Sequence, residues 1–143
     1  MRAPGPRPGL AGAALLEFAL VWPVALLLVL GCVELSLWAT EAYSARAAAL
    51  AGARAGTVVG ANPSSTAQVA LRALGPSLVG GSAAAWCPGQ SASPPQVWVC
   101  VRDLGTSVTV TIGGAAPSLV PLFGGSGLPL HADVTLQKES FSL

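Results

Sequence analysis

Glu17 is the residue whose type and position most directly indicate chemistry. It is a lone carboxylate near the start of an apolar run from Leu15 to Leu37, which is otherwise interrupted only by Glu34 and Ser36. A charged side chain inside a transmembrane helix costs about 2.5–3.5 kcal/mol on insertion scales. Such a carboxylate normally has a partner or a function. Gly12 lies five residues earlier, and no polar residue lies between the two. This spacing helps to indicate which function the Glu17 carboxylate has.

The remaining sequence lacks the residue patterns of an enzyme. Of the six acidic residues, the first two, Glu17 and Glu34, lie in the apolar run, and the single histidine, His131, stands alone near a predicted strand start. No nucleophile elbow, phosphate loop, paired Cys-x-x-Cys or zinc-binding His-Glu-x-x-His motif occurs in the sequence. We therefore expect no catalytic residues, no metal site and no cofactor.

Composition excludes one further class of function. Of the 143 residues, 52% are hydrophobic and 9% are charged, whereas an ordinary soluble domain has about 25% charged residues. The net charge is +1, and the seven lysines and arginines are scattered. Nucleic-acid binding requires clustered basic residues, so we expect no nucleic-acid partner. The length allows one modest domain and a membrane segment.

The apolar run predicts a retained transmembrane helix over residues 13–38. About 23 apolar residues form a helix of about 35 Å, enough for a hydrocarbon core of about 30 Å, and the run exceeds the roughly 7–15 residues of a secretory signal. Pro23 falls in the first half of the predicted helix, where a kink is tolerated. Basic residues flank both ends almost equally, so their distribution does not determine the orientation. We place the N-terminus in the cytoplasm because residues 1–12 form only a short tail.

The helix is expected to continue as an extracytoplasmic stalk over residues 39–60. Alanine dominates this stretch, and no proline interrupts it before Pro63. Ala45, Ala49, Gly52 and Gly56 place small side chains on one face, which allows two helix backbones to approach closely. The alternative is that an alanine-rich sequence produces this spacing by chance.

Residues 61–143 are predicted to form a small extracytoplasmic head, which makes the fold class α+β. Asn62 as N-cap and Pro63 as first helical residue predict a short helix that ends near Gly75-Pro76. Its apolar face consists of Ala67, Leu71, Leu74 and Leu78. Alternating and β-branched residues then predict a three-stranded antiparallel sheet, with strands at residues 96–102, 107–112 and 131–138.

Two cysteines lie outside the apolar run. Cys87 and Cys100 would form a natural disulfide in an oxidising compartment, and the bond would stabilise the head by about 3 kcal/mol. The alternative is that both are unpaired small hydrophobic residues.

Several motifs resemble those of one family. Residues 12–23, GAALLEFALVWP, resemble the N-terminal signature of TadE-like proteins, which are pseudopilins or minor pilins of the tight-adherence (Tad, type IVc) pilus machinery. Residues 31–34, GCVE, resemble the family's glycine and second glutamate near the end of the span. Residues 48–56 resemble its alanine-rich stretch, and the C-terminal strands with the apolar residues 119–123 resemble its C-terminal pattern. Ala13 and Ala14 are smaller than the residues common in other pilin classes.

The resemblance implies processing by a prepilin peptidase and a role in fibre assembly. Cleavage would follow Gly12, leaving Ala13 as the new N-terminus and Glu17, followed by Phe18, as the fifth residue. The new amine would then pair with Glu17 of a neighbouring subunit and offset the cost of burying that carboxylate.

The implied assembly contacts and partners extend further along the chain. Pro23, Glu34, Gly52 and Gly56 join Glu17 as candidate helix-packing residues, although Glu34 has the alternative of extending towards the outer membrane interface. The expected partners are the prepilin peptidase, other pilins or pseudopilins, the inner-membrane assembly platform and membrane lipid.

Two other readings remain open. Val29 to Cys32 is a passable lipobox, so the chain could be a lipoprotein anchored through Cys32, although Leu30 is bulky and the sequence stays apolar through Trp38. It could also be a generic single-pass surface protein with a binding head, which leaves Gly12 and Glu17 unexplained. The mature N-terminus distinguishes the three interpretations. It would be Ala13 in a pseudopilin, a lipidated Cys32 in a lipoprotein, and a residue at or near Met1 in a generic single-pass protein.

Overall fold

Two α-helices and a four-stranded sheet make up the part of the chain that the computed structural model describes, residues 10–78, 80–116 and 127–138. The helices are α1 (Leu10–Gly56) and α2 (Pro63–Leu74), and α2 continues into a 3₁₀ turn, Gly75–Ser77. The strands are β1 (Ala83–Ala85), β2 (Val97–Asp103), β3 (Ser107–Ala116) and β4 (Leu128–Gln137). The α+β class predicted from the sequence is confirmed.

The first helix is continuous over 47 residues and contains Pro23. Its two halves differ in their surroundings. None of the side chains from Gly12 to Val33 is buried, whereas Glu34 begins a buried face that continues to Gly56. The predicted continuous helix is therefore present, although it ends at Gly56 and not at residue 60. This part of α1, predicted as the stalk over residues 39–60, packs against α2, β3 and β4.

The start of α2 follows from local hydrogen bonding. The Asn62 side chain accepts a hydrogen bond of 2.7 Å from the backbone N–H of Ser65, and the Ser65 hydroxyl accepts one from the backbone N–H of Asn62. Pro63 occupies the first turn, where its missing N–H is not needed. The predicted N-cap and first helical residue are confirmed, and the helix ends at Leu74 as expected near Gly75.

The three predicted strands are present and pair antiparallel, but the predicted strand number is wrong because a fourth strand, β1, joins the sheet. The sheet has four strands in the order β1-β2-β3-β4, and β1 runs parallel to β2 while the other neighbours are antiparallel. Ala83–Ala85 consists of alanines, which show neither the alternation nor the β-branched side chains that indicate a strand. Its pairing with Val97–Val99 joins segments that are distant in sequence, so no turn signal reveals it.

The core lies between one face of the sheet and the two helices. Valines and an isoleucine from β2 and β3 alternate into it, and alanines from α1 cover them, because small side chains let the helix lie close to the sheet. The most deeply buried residues of this core, including two from α2, are Val97, Val99, Val108, Val110, Ile112, Leu74, Ala45, Ala48, Ala49, Ala53 and Ala70.

The turn between β2 and β3 carries an ion pair. Asp103 accepts a hydrogen bond of 2.6 Å from Lys138 Nζ, and its other carboxylate oxygen accepts one of 2.9 Å from the backbone N–H of Gly105. Gly105 has a φ of +83°, which favours glycine in this turn. The hydrogen bond from Lys138, followed by that from Gly105, lowers the pKa of Asp103 below its ordinary value.

A pH-dependent stability follows from that lowered pKa. A carboxyl group whose pKa is lower in the folded state stabilises the fold above its unfolded pKa, and the contribution is lost as the pH falls through the folded value. We expect Asp103→Asn to unfold at a lower temperature than the parent chain at neutral pH, and the difference to shrink as the pH falls below about 4. Thermal unfolding of both proteins in detergent, from neutral pH to below pH about 4, measures this difference in unfolding temperature.

Lys138→Gln is the matched variant, because it removes the other member of the same ion pair. It should reduce the pH dependence of stability less than Asp103→Asn does, because the Gly105 N–H still stabilises the Asp103 carboxylate. The double variant should add little to Asp103→Asn. A difference between Asp103→Asn and the parent chain that stays constant at every pH would contradict the assignment.

Candidate functional site

The predicted processing segment lies on the exposed end of α1. Gly12, Ala13, Glu17 and Phe18 are all helical and exposed to solvent, and a side chain added at Gly12 would meet nothing within 4 Å. Ala13 and Glu17 are four residues apart and therefore share one face of the helix. Nothing in the described fold covers this segment, so it is accessible to another protein.

Aromatic and proline residues follow on the same exposed helix. The Phe18 and Trp22 rings stack with centroids 5.7 Å apart. Pro23 comes next and does not end the helix, which continues for a further 33 residues to Gly56. These residues remain uncovered in the isolated chain, as does most of the apolar surface between Leu15 and Val33.

Glu34 and Glu41 mark the point where α1 meets the head. Glu34 is only 5% exposed and Glu41 only 3% exposed. The two residues are seven apart, so they lie on the same face, two turns from each other. Both residues make a hydrogen bond or an electrostatic interaction within the chain. The alternative prediction, in which the Glu34 side chain extends towards the outer membrane interface, does not agree with this low exposure.

The small residues of α1 pack within the molecule. A Cβ atom at Gly52 would lie 2.9 Å from the Cβ of Ala70 in α2. A Cβ atom at Gly56 would lie 2.8 Å from Val108 Cγ1 in β3 and 3.1 Å from Thr66 Cγ2 in α2. The face of small side chains therefore allows a close approach of α1 to α2 and to the sheet of the same chain.

Trp38 joins α1 to the beginning of β4. Its indole N–H donates a hydrogen bond of 3.1 Å to the carbonyl oxygen of Pro129. In the sequence, Trp38 only marks the end of the apolar stretch. The contact spans 91 positions in the chain, and no local pattern indicates it.

The three cysteines fall in two environments. Cys87 and Cys100 form a disulfide, with Cα atoms 4.7 Å apart, that joins the loop after β1 to β2. Cys32 is exposed on α1, inside the continuous helix. Among the residues described, no group of three or more histidine, cysteine or acidic side chains is placed to hold a metal ion.

Two features of the site were missed from the sequence. The burial of Glu41 could have been inferred from its spacing, because Glu34, Glu41, Ala45, Gly52 and Gly56 form one stripe along α1. Ala70, which is fully buried against Gly52, was not assigned to the apolar face of α2. The apolar residues 119–123, which were part of the C-terminal pattern in the family resemblance, lie outside the residues that the structure describes.

Comparison with known proteins identifies the class of the N-terminal helix. A family model described as TadE-like protein matches residues 12–54. The match begins at Gly12 and covers the exposed half of α1 and most of its packed half. Searches of curated proteins and of solved structures gave no significant match. The resemblance to TadE-like proteins is therefore confirmed over this segment.

Length and composition also support a membrane anchor. Among the described residues, α1 is the one helix long and apolar enough to cross a membrane, and none of its most apolar 18-residue window is buried in the fold. Together with the family match, this indicates a single-pass membrane protein.

Proposed function

We propose that this chain is a membrane-anchored pseudopilin, or minor pilin, that takes part in assembly of a Tad (type IVc) pilus or a related secretion apparatus. The observation that carries the proposal is the TadE-like match beginning at Gly12, on an uncovered apolar helix that contains Glu17. TadE-like proteins are a structural, non-enzymatic family, which agrees with the sequence expectation of no catalytic role.

Processing by a prepilin peptidase is the first step of the proposed function. The enzyme cleaves between Gly12 and Ala13, where a small residue before the bond admits the protease and the exposed helix end offers no steric barrier. The N-terminus faces the cytoplasm and the head lies outside. The disulfide between Cys87 and Cys100 supports this orientation, since such bonds persist in oxidising compartments.

Assembly then relies on the new amine at Ala13. In the isolated subunit that amine and the Glu17 carboxylate share one helix face, one turn apart, which reduces the cost of keeping the carboxylate in the membrane. In the assembled fibre the amine pairs with Glu17 of a neighbouring pilin and fixes the register of the two helices. The inner-membrane assembly platform and other pilins or pseudopilins are the partners of this step.

Mass spectrometry of the mature N-terminus tests the proposal. In cells that contain the prepilin peptidase the chain should begin at Ala13, and in cells without it at or near Met1. Gly12→Leu should block cleavage, while Gly31→Leu, on the same helix and also with free space around it, should not. A chain that keeps residues 1–12 beside the active peptidase would refute the proposal, and a lipidated Cys32 would favour the lipoprotein reading.

A further inference from the structure

The uncovered part of α1 is long enough to cross a lipid bilayer. From Gly12 to Val33 no side chain is buried, and Glu34 is the first buried residue after this stretch. These 22 residues span about 33 Å, compared with about 30 Å for a hydrocarbon core. The fold covers α1 from Glu34 onward. If the uncovered stretch crosses the membrane, the head begins close to the level where the hydrocarbon ends.

The sheet has one end near that level and one end far from it. Trp38, one turn beyond Glu34, is hydrogen-bonded to Pro129 at the start of β4. Gly56, at the other end of α1, lies against Val108 at the start of β3. We call Ala115–Ala116 and Gly127–Leu130 the proximal rim of the sheet, because Ala115 pairs with Pro129 and these residues lie near Trp38.

Charge is distributed unequally between the two ends. The sequence contains no lysine, arginine, aspartate or glutamate between Asp103 and Asp133, so the proximal rim is uncharged. Arg102, Asp103 and Lys138 lie at the far end of the sheet, at the turn between β2 and β3 and just after β4. The uncharged rim can approach a bilayer without desolvating an ion, since Glu34 at the same level is already buried in the fold, whereas the far end cannot.

We infer that the proximal rim, together with Trp38, rests in the interfacial layer of the membrane and contacts phospholipid directly. Pro129 is exposed, and Ala115, Gly127 and Leu128 are partly exposed, so the rim has uncharged surface available for lipid. Trp38 supports the contact because a tryptophan ring suits the boundary between hydrocarbon and water. The inference depends on α1 crossing the membrane and is independent of cleavage and fibre assembly.

Spin labels at defined positions test this contact. Cys32→Ala removes the one cysteine outside the disulfide, and single cysteines are then introduced as Pro129→Cys or Ala115→Cys in the rim. Leu27→Cys in the span and Thr106→Cys in the far turn are references. The full chain is reconstituted in phosphatidylcholine vesicles, and collisions of each label with oxygen, which partitions into lipid, are compared with those with a water-soluble nickel chelate.

The ratio of oxygen to nickel collisions decides the outcome. Both rim labels should give a ratio several-fold above that of Thr106→Cys and below that of Leu27→Cys. Rim labels as accessible to nickel as Thr106→Cys, with Leu27→Cys protected, would overturn the inference and leave the membrane anchor standing. A Leu27→Cys label that nickel also reaches would contradict the anchor, and with it both the inference and the proposed function.

Discussion

Glu17→Ala is expected to leave the chain membrane-inserted and correctly cleaved, and to remove it from the assembled complex. Removing the carboxylate makes insertion easier, by at most about 2.5–3.5 kcal/mol, the cost of a charge at the centre of a transmembrane helix, so anchoring should not suffer. The pairing with a neighbour's amine is lost, and a loss of only about 1.4 kcal/mol already lowers co-assembly about tenfold. Co-purification of partner pilins from solubilised membranes measures incorporation, and mass spectrometry of the N-terminus confirms cleavage.

Two control variants separate charge from packing at this position. Glu17→Gln keeps nearly the same shape and removes the charge, so it should fail to assemble as Glu17→Ala does. Leu20→Ala shortens an exposed side chain on the neighbouring turn of the same helix and should assemble nearly normally. Normal incorporation of Glu17→Ala would refute the pairing, and failure of Leu20→Ala would attribute the effect to apolar packing instead.

Gly56→Leu is expected to destabilise the head of the isolated subunit by about 3 kcal/mol. The added Cβ alone would lie 2.8 Å from Val108 Cγ1 and 3.1 Å from Thr66 Cγ2. Both neighbours are almost fully buried, at 1% and 2% exposed, so they have little room to move. The remaining leucine carbons require α1 to separate from α2 or from the sheet, which exposes core residues to water.

Urea unfolding in detergent measures this loss. Trp86 and Trp98, whose rings lie 5.7 Å apart in the head, report unfolding through their fluorescence. Gly31→Leu is the matched control, since it makes the same substitution on the same helix with nothing within 4 Å. If Gly56 instead packs against another subunit, the isolated Gly56→Leu subunit will unfold at the same urea concentration as the parent chain. Only its association with other subunits will then be weaker.

Elements defined by local chemistry were predicted well from the sequence. Asn62 and Pro63 locate the start of α2 because a cap and a first-turn proline act within a few residues. The alternation in β2 and β3 and the turn at Gly105 likewise depend on neighbours in the chain. The strand boundaries shift because pairing extends β3 to Ala116 and starts β4 at Leu128, beyond the residues with a clear pattern.

Features that depend on distant contacts were not predictable in the same way. The small residues of α1 correctly indicated a close approach, but spacing alone does not say whether the partner is another molecule or α2 of the same chain. β1 and the bond between Trp38 and Pro129 join segments with no common local signal. The roles of Gly12, Ala13 and Glu17 remain predictions, because they concern a protease and a neighbour outside a single chain.

The continuity of α1 also has a mechanical consequence. One uninterrupted helix of 47 residues, about 70 Å long, runs from the N-terminal end into the core of the head. Tension applied at either end is therefore transmitted along a single rod, with bending concentrated at Pro23, where one backbone hydrogen bond is missing. A motor that draws the anchor out of the lipid would lift the globular part with it, without first stretching a flexible tether.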